Sequence, residues 1–395
     1  MDRAETQAGI DTALRRAVEA REVPGVVAMA AGEDGPLYEA AFGRRDIDNG
    51  PAMTLDTVFR IASMTKAITC VAAMQLVEAR RLDLDAPVPD IGEPVLSAPQ
   101  VLEGFDAAGK PLLRPAARPI TLKHLLTHTA GFTYDWMNRN TRRYAEATGM
   151  PDAISGKVAA LRQPLAFDPG ERWEYGVNID WVGRVVETVT GQALDTVLRD
   201  RILAPLGMRD TGFATTPEQR GRQAPVHQKH PDGSLEPQPL PEPFVPEFRA
   251  GGSALLSTAR DYLTFLEMLM HSGTLYGARV LKPETVALMN QNHVGDLPAG
   301  VLRSIAPERA HDLDLFPGAP VRWGLAYMLN MRPGPNGRSA GTVSWAGIFN
   351  SYYWLDPARR VAGVIMAQML PFADPAMLRL LGGFERGVYA LAEAR

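Results

Sequence analysis

The pattern of apolar and polar positions divides the chain into strand-like ends and a helical middle. Residues 6–21 carry Ile10, Leu14, Ala17 and Val18 on one face, which predicts an amphipathic helix. Two strand-like runs, Gly25 to Ala31 and Leu37 to Phe42, flank the turn residues Gly32-Glu33-Asp34-Gly35 and predict a hairpin. From Ser63 to about Ala79 the chain is apolar nearly all the way round, the pattern of a buried helix. Residues 82–120 are rich in Pro, Asp and Gly with little periodicity, and 121–126 predict one or two helical turns. Helical patterns recur near 179–190, 193–203, 258–271 and 284–290, the last opening with Pro283 at a favoured first-turn position. Between them, Pro217 to Pro246 is proline-rich with few apolar anchors and predicts a long surface strap.

Strand signals return from Trp323: Gly324 to Met331, Gly341 to Ala346, Ser351 to Leu355 and Val361 to Gln368. A closing helix is expected from the cap-then-proline pair Asp374-Pro375. Strands at both ends with helices between predict an α+β protein whose antiparallel sheet is assembled from the two termini. The expected division is an α/β portion from residues 1–80 and 320–395, and a mainly helical portion with long loops from 81–319, with the active site between them.

Composition narrows the function classes. The 395 residues are 46% hydrophobic and 22% charged, ordinary for a globular protein. A net charge of -4 gives no global electrostatic case for nucleic acid or an anionic membrane, and no apolar run approaches the ~20 residues of a membrane span. The start, Met1-Asp2-Arg3-Ala4-Glu5-Thr6, lacks the basic-then-apolar pattern of a secretory signal, so the simplest expectation is a cytoplasmic protein. One cysteine, Cys70, excludes an intramolecular disulfide and a multi-Cys metal site. The histidines show no metal-ligand motif such as His-Glu-x-x-His; His124 and His128 are four apart but sit at a helix end and tight turn. No Gly-x-Ser-x-Gly elbow, phosphate loop or dinucleotide fingerprint occurs, and neither a metal nor a cofactor is expected.

Three stretches can carry chemistry. In Phe59-Arg60-Ile61-Ala62-Ser63-Met64-Thr65-Lys66, residues three apart on a helix share a face, so Lys66 hangs beside the Ser63 hydroxyl. A lysine in a poorly solvated pocket loses part of its preference for charge and can take or share a proton, making the serine a usable nucleophile. The helix N-terminus offers free N–H groups to an oxyanion. In Trp173-Glu174-Tyr175-Gly176-Val177-Asn178, a tyrosine beside such a pair can relay protons. In Val343-Ser344-Trp345-Ala346-Gly347-Ile348, small residues let a strand edge approach a substrate carbonyl.

These stretches, with Leu125-Leu126-Thr127-His128-Thr129-Ala130-Gly131, Pro169-Gly170-Glu171, Pro205-Leu206-Gly207-Met208, Gly251-Gly252-Ser253 and Met369-Leu370-Pro371-Phe372, stand in an order that resembles the serine β-lactamase and penicillin-binding-protein superfamily. The resemblance covers nearly the whole chain and is strongest to the class C β-lactamase-like branch and its family VIII carboxylesterases. It implies a β-lactamase-like fold, Ser63 as nucleophile, Lys66 as its proton partner, Tyr175 as base or relay, and an oxyanion hole from the N–H groups of Ser63 and Ile348. Two departures bear on the substrate: Val177 stands where those β-lactamases carry an asparagine, and Trp345-Ala346-Gly347 replaces their Lys-Thr-Gly strand. Losing that lysine removes a charge-assisted contact of roughly 1.5–3 kcal/mol for a substrate carboxylate. The expectation is therefore a serine carboxylesterase hydrolysing neutral, short-to-medium-chain acyl esters through an acyl-enzyme on Ser63, with a β-lactam or amide hydrolase, an acyltransferase and a non-catalytic binding protein as alternatives. Trp345, Gly347, Val177, Phe132 and Trp136 are the expected substrate contacts, and Tyr134 is a further candidate for the pocket wall.

Overall fold

The structure, a computed structural model, describes residues 2–242 and 244–394; Met1, Arg395 and Pro243 of the expected strap lie outside the described residues. Its centre is one antiparallel seven-stranded sheet. The strands are β1 (Gly25–Gly32), β2 (Gly35–Gly43), β3 (Val321–Trp323), β4 (Met328–Asn330), β5 (Val343–Gly347), β6 (Ser351–Asp356) and β7 (Val361–Met366). They lie in the order β3-β4-β5-β6-β7-β1-β2, so the N-terminal hairpin completes a sheet begun by the C-terminal meander. β1 pairs with β7 from Val27↔Met366 to Gly32↔Val361, the seam where the two chain ends meet.

Both faces of this sheet are covered, which is why β1, β6 and β7 are buried at every position instead of alternating. Successive residues of β6 point opposite ways. Tyr353 meets Tyr262 of helix α4 (Ala259–Met270), with ring centroids 5.1 Å apart, and Trp354 meets Phe384 of helix α5 (Pro375–Glu393) at 5.4 Å. Helix α1 (Arg3–Glu19) packs beside α5 on the second face, and the Tyr38 hydroxyl ties it to β2 by donating to Asp11 at 2.7 Å. The proline-opened closing helix is capped as expected: the Asp374 carboxylate accepts from the N–H groups of Ala376 and Met377.

Helix α2 (Thr65–Glu78) is buried on all sides and packs on α3 (Asn178–Thr190), whereas α4 packs on β7, β1 and β6. The expected portions thus interlock across their boundary, since α2 lies within 1–80 and α4 within 81–319. Among the described residues no helix is long and apolar enough to cross a membrane.

Two segments differ from expectation. Residues 82–120 contain a hairpin, Gln100–Phe105 with Pro111–Pro115, partly exposed and so without the alternation that marks a half-buried strand. The expected strap holds a short helix, Pro217–Gly221, and the paired strands His227–Lys229 and Leu235–Pro237, the first of which also pairs with Met369–Leu370. Tertiary pairing, not local pattern, orders both.

Gly363 lies opposite Trp354 on the neighbouring strand, and a Cβ there would enter the indole ring. Gly363→Val is expected to lower stability by about 1–3 kcal/mol through overpacking, read as a lower urea midpoint at unchanged slope. An unchanged midpoint would mean that Trp354 has room to move aside.

Candidate active site

Ser63 sits in a 3-10 turn, Ala62–Met64, that leads directly into α2. Ala62 has φ 46°, a left-handed conformation that a residue with a Cβ adopts only when its surroundings enforce it. Those surroundings come from afar: Ile61 N–H donates to Leu255 O, Leu255 N–H to Thr65 Oγ1, and Tyr262 OH to Met64 O at 2.9 Å. The Thr69 hydroxyl donates to Gly251 O at 2.7 Å. The segment 250–257 and α4 thereby clamp the nucleophile's turn.

Lys66 is 1% exposed, and its Nζ donates to Ser63 Oγ at 3.2 Å, Tyr134 Oη at 3.2 Å and Gly252 O at 2.8 Å. The spacing of three therefore brings the two side chains together as the helical register requires. An ammonium has three N–H donors and finds three acceptors here. Gly252 N–H in turn donates to the buried Asp180 Oδ1 at 2.9 Å, and a Cβ on Gly252 would lie 2.6 Å from Asp180 Oδ2. Burial disfavours charge on Lys66, but Tyr134, Tyr175 and Asp180 outweigh it and hold its pKa above the ordinary lysine value. This corrects the expectation of a weakened charge, because that expectation counted the burial and not the acceptors.

Tyr175 follows a tight turn docked on the 128–133 segment, with Glu174 N–H donating to His128 O and Gly170 N–H to Thr129 O. Gly176 lies against the Phe132 carbonyl, leaving no room for a Cβ. The Tyr175 hydroxyl accepts from Trp345 Nε1 at 2.9 Å, and Lys66 Nζ stands 4.7 Å from the Tyr175 ring centroid. Trp345 is thus more than an apolar wall: its indole N–H is aimed at the phenol oxygen. Gly347, at the end of β5, packs against Ile61 O with no space for a side chain, which brings Ile348 to the turn that carries Ser63.

The other expected contacts fall in different places. Trp136 stacks on Tyr134 at 5.6 Å, and Val177 lines with Tyr134 a cavity of about 90 Å³. Phe132 is fully buried and packs on Trp181 at 6.2 Å; its ring belongs to the core, and its carbonyl faces Gly176 and Asn178. Asn178 points away from the site, as expected for a residue one place late, giving its Nδ2 hydrogens to Phe132 O and His128 Nδ1. His124 Nδ1 accepts from Thr121 N–H, so the two histidines four apart serve separate local roles. Among the described residues no group of His, Cys, Asp and Glu could hold a metal ion.

Sequence reasoning missed the hydroxyl of Tyr134 and the carboxylate of Asp180 as neighbours of Lys66. Asp180 lies in the first turn of α3, where an acid is expected for the helix dipole alone. Tyr134 carried no signal beyond being aromatic near Gly131.

The Beta-lactamase family model matches residues 10–382. The chain belongs to this family. Within it, the chain is similar to the monacolin J acid methylbutanoyltransferase of Aspergillus terreus, 35% identical over 409 residues covering 96% of this chain and 95% of that one. It is also 31% identical to a lovastatin esterase of Penicillium rubens, over 96% of this chain and 98% of that one. The unliganded simvastatin synthase (LovD) of Aspergillus terreus superimposes with TM-score 0.84 at 31% identity, covering 98% of both chains. The β-lactamase-like fold therefore stands, with the large antiparallel sheet and flanking helices described above.

In this β-lactamase-family protein, burial first of all lowers the pKa of His128, with Lys66 adding to the effect, and burial also lowers those of His124, His227 and His293. As pH falls through the ordinary value of 6.5, the unfolded chain binds protons that the folded chain does not, so stability falls on acidification. Asp261, pushed up to about 6 by burial, opposes this below that value because its folded form binds the proton first. The urea midpoint is expected to drop between about pH 7.5 and 6. A flat or rising profile there would show that these histidines protonate freely in the fold.

Proposed function

We propose that the chain cleaves acyl esters through an acyl-enzyme on Ser63. The observation that carries this reading is Lys66, whose three hydrogen bonds hold an ammonium against Ser63 Oγ while Tyr175 receives a hydrogen bond from Trp345. A fully donating ammonium has no lone pair to act as base, which leaves Tyr175 for that role. Trp345 Nε1 donates to the Tyr175 oxygen at 2.9 Å and Lys66 Nζ stands 4.7 Å from its ring, so negative charge that develops on that oxygen during proton transfer meets a donor and a cation.

Ser63 Oγ gives its proton to Tyr175 and forms a bond to the acyl carbon. The carbonyl oxygen takes the charge and is received by the N–H groups of Ser63 and Ile348. The bond to the leaving oxygen then breaks, and Tyr175 returns the proton to the departing alcohol. An incoming water repeats the sequence, giving a proton to Tyr175 while its oxygen attacks, and Ser63 leaves with that proton. Trp345 in place of a cation on β5 favours apolar acyl groups over a β-lactam anchored there by its carboxylate. The small-molecule ester is the partner this reading requires.

A second reading hands the acyl group to an alcohol instead of water. It is favoured by the similarity to a methylbutanoyltransferase named for an acid, and by the aromatic walls around Tyr175 that limit water, with Trp345 at 4.9 Å and Trp323 at 6.4 Å between ring centroids. Product analysis of p-nitrophenyl butyrate turnover with and without an added alcohol separates the two: butyrate alone means hydrolysis, and a new ester means transfer.

Ser63→Ala and Lys66→Met are each expected to lower p-nitrophenyl ester turnover by at least about 10³-fold, with labelling of Ser63 by a fluorophosphonate lost in the first. Near-normal turnover in Ser63→Ala would end the scheme. Wild-type protein that cleaves nitrocefin fast and esters slowly would overturn the role given to Trp345.

Tyr134→Phe removes one acceptor from the Lys66 ammonium and lowers its pKa. The alkaline limb of kcat/KM, which reports loss of the ammonium, is expected to move to lower pH in this variant. An unmoved limb would mean that Tyr134 only packs.

A further inference from the structure

Arg60 lies three residues before Ser63, and its guanidinium carbon sits 4.9 Å above the ring of Phe349, the residue after Ile348. Its backbone is gripped on both sides by one side chain: Arg60 N–H donates to Gln368 Oε1 at 3.1 Å, and Gln368 Nε2 donates to Arg60 O at 3.0 Å. Ile61, the next residue, donates to Leu255 O and accepts the close approach of Gly347. The position of this arginine is therefore fixed by the same contacts that join the nucleophile's turn to the end of β5.

The guanidinium itself has no ion pair and no hydrogen bond to any described residue. The residue is half-buried, and burial lowers its pKa with no nearby acid to counter it. Among the described residues the buried Arg338 is ion-paired with Glu385, and the half-buried Arg222 and Arg309 with Asp210 and Asp152, whereas the half-buried Arg45, Arg142 and Arg220 reach backbone carbonyls. Arg60 shares its lack of any such partner with the half-buried Arg201, and differs from it in standing beside the nucleophile's turn. A half-buried cation without a partner is costly, and stacking on one phenyl ring offsets only part of that cost. Its fork of N–H donors suits a carboxylate in two-point contact.

We propose that Arg60 receives a carboxylate of the substrate, so that the site prefers esters carrying a free acid group remote from the scissile bond. This rests on the acyl-enzyme reading at Ser63. It moves anion recognition from β5, where Trp345 stands, to the opposite flank of Ile348. Carboxylate on the acyl part and carboxylate on the alcohol part present the same chemistry to Arg60.

Matched esters distinguish these sources. On the acyl side, p-nitrophenyl monoesters of dicarboxylic acids from succinate to suberate are compared with their methyl diesters. On the alcohol side, butyrate esters of hydroxybenzoates and hydroxyalkanoates are compared with the corresponding methyl carboxylates. In wild type, kcat/KM is expected to favour the free acid about tenfold in one arm. Arg60→Met, which keeps the stem on Phe349, is expected to abolish that preference while turnover of the neutral partners stays within about twofold, and Arg60→Lys to restore part of it. No preference for the free acid in either arm, or a preference that survives Arg60→Met, would overturn the proposal. Absence of turnover of every ester, neutral ones included, would instead count against the acyl-enzyme reading. Independently of turnover, calorimetry on Ser63→Ala with the preferred acid is expected to show about tenfold weaker binding when Arg60→Met is added; equal binding would refute the role of Arg60.

Discussion

A buried ammonium without solvent must find an acceptor for each of its hydrogens, and the architecture around Ser63 is arranged by that requirement. The acceptors of Lys66 come from three separate parts of the chain: the turn that precedes α2, the 131–136 segment, and the 250–253 segment. Each is held in place by further contacts, Gly252 through Asp180 and the Ser63 turn through Leu255 and Tyr262. Removing any one acceptor would leave a charge partly unmatched in a dry site, so the ion specifies the mutual placement of these segments as well as serving the chemistry.

The same charge organises the rings around it. Lys66 faces the rings of Tyr134 and Tyr175, whose faces carry negative potential, and it repels a proton on His128. His128, kept neutral first by its burial and then by that charge, packs at 4.6 Å from the Tyr175 ring and is not a second cation. Trp323 and Trp345 meet edge to face at 4.6 Å and close the other side of Tyr175. With water largely displaced, the hydrogen bond from Trp345 to the phenol oxygen acts at low dielectric, where it has more effect than at the surface.

What was legible in the sequence is what local geometry determines. A serine and lysine three apart at the start of a helix must meet, and two strand-rich termini must pair somewhere. The glycine at 347 announced close approach, although not that its neighbour would be the carbonyl of Ile61. Helix 139–148 was silent because it buries only Thr141 and so has no apolar stripe to detect. The sign of the change at Lys66 was unreadable for a different reason: it depends on Tyr134 and Asp180, 68 and 114 positions away in the chain, and burial alone points the other way.

The site also separates two tasks that a single strand residue could have combined. A lysine on β5 would place a cation beside Tyr175 and Lys66, adding a like charge to a pocket that already holds one ion at the cost of three hydrogen bonds. With tryptophan there, the strand supplies one oriented N–H and apolar surface, and among the described residues Lys66 remains the sole cation that meets Tyr175. Arg60, which has no partner among the described side chains, stacks instead on Phe349, two residues beyond the end of β5. Under the role proposed for Arg60, charge would be recognised by a residue that makes none of the hydrogen bonds of Lys66, whereas a cation at position 345 would contact Tyr175 directly.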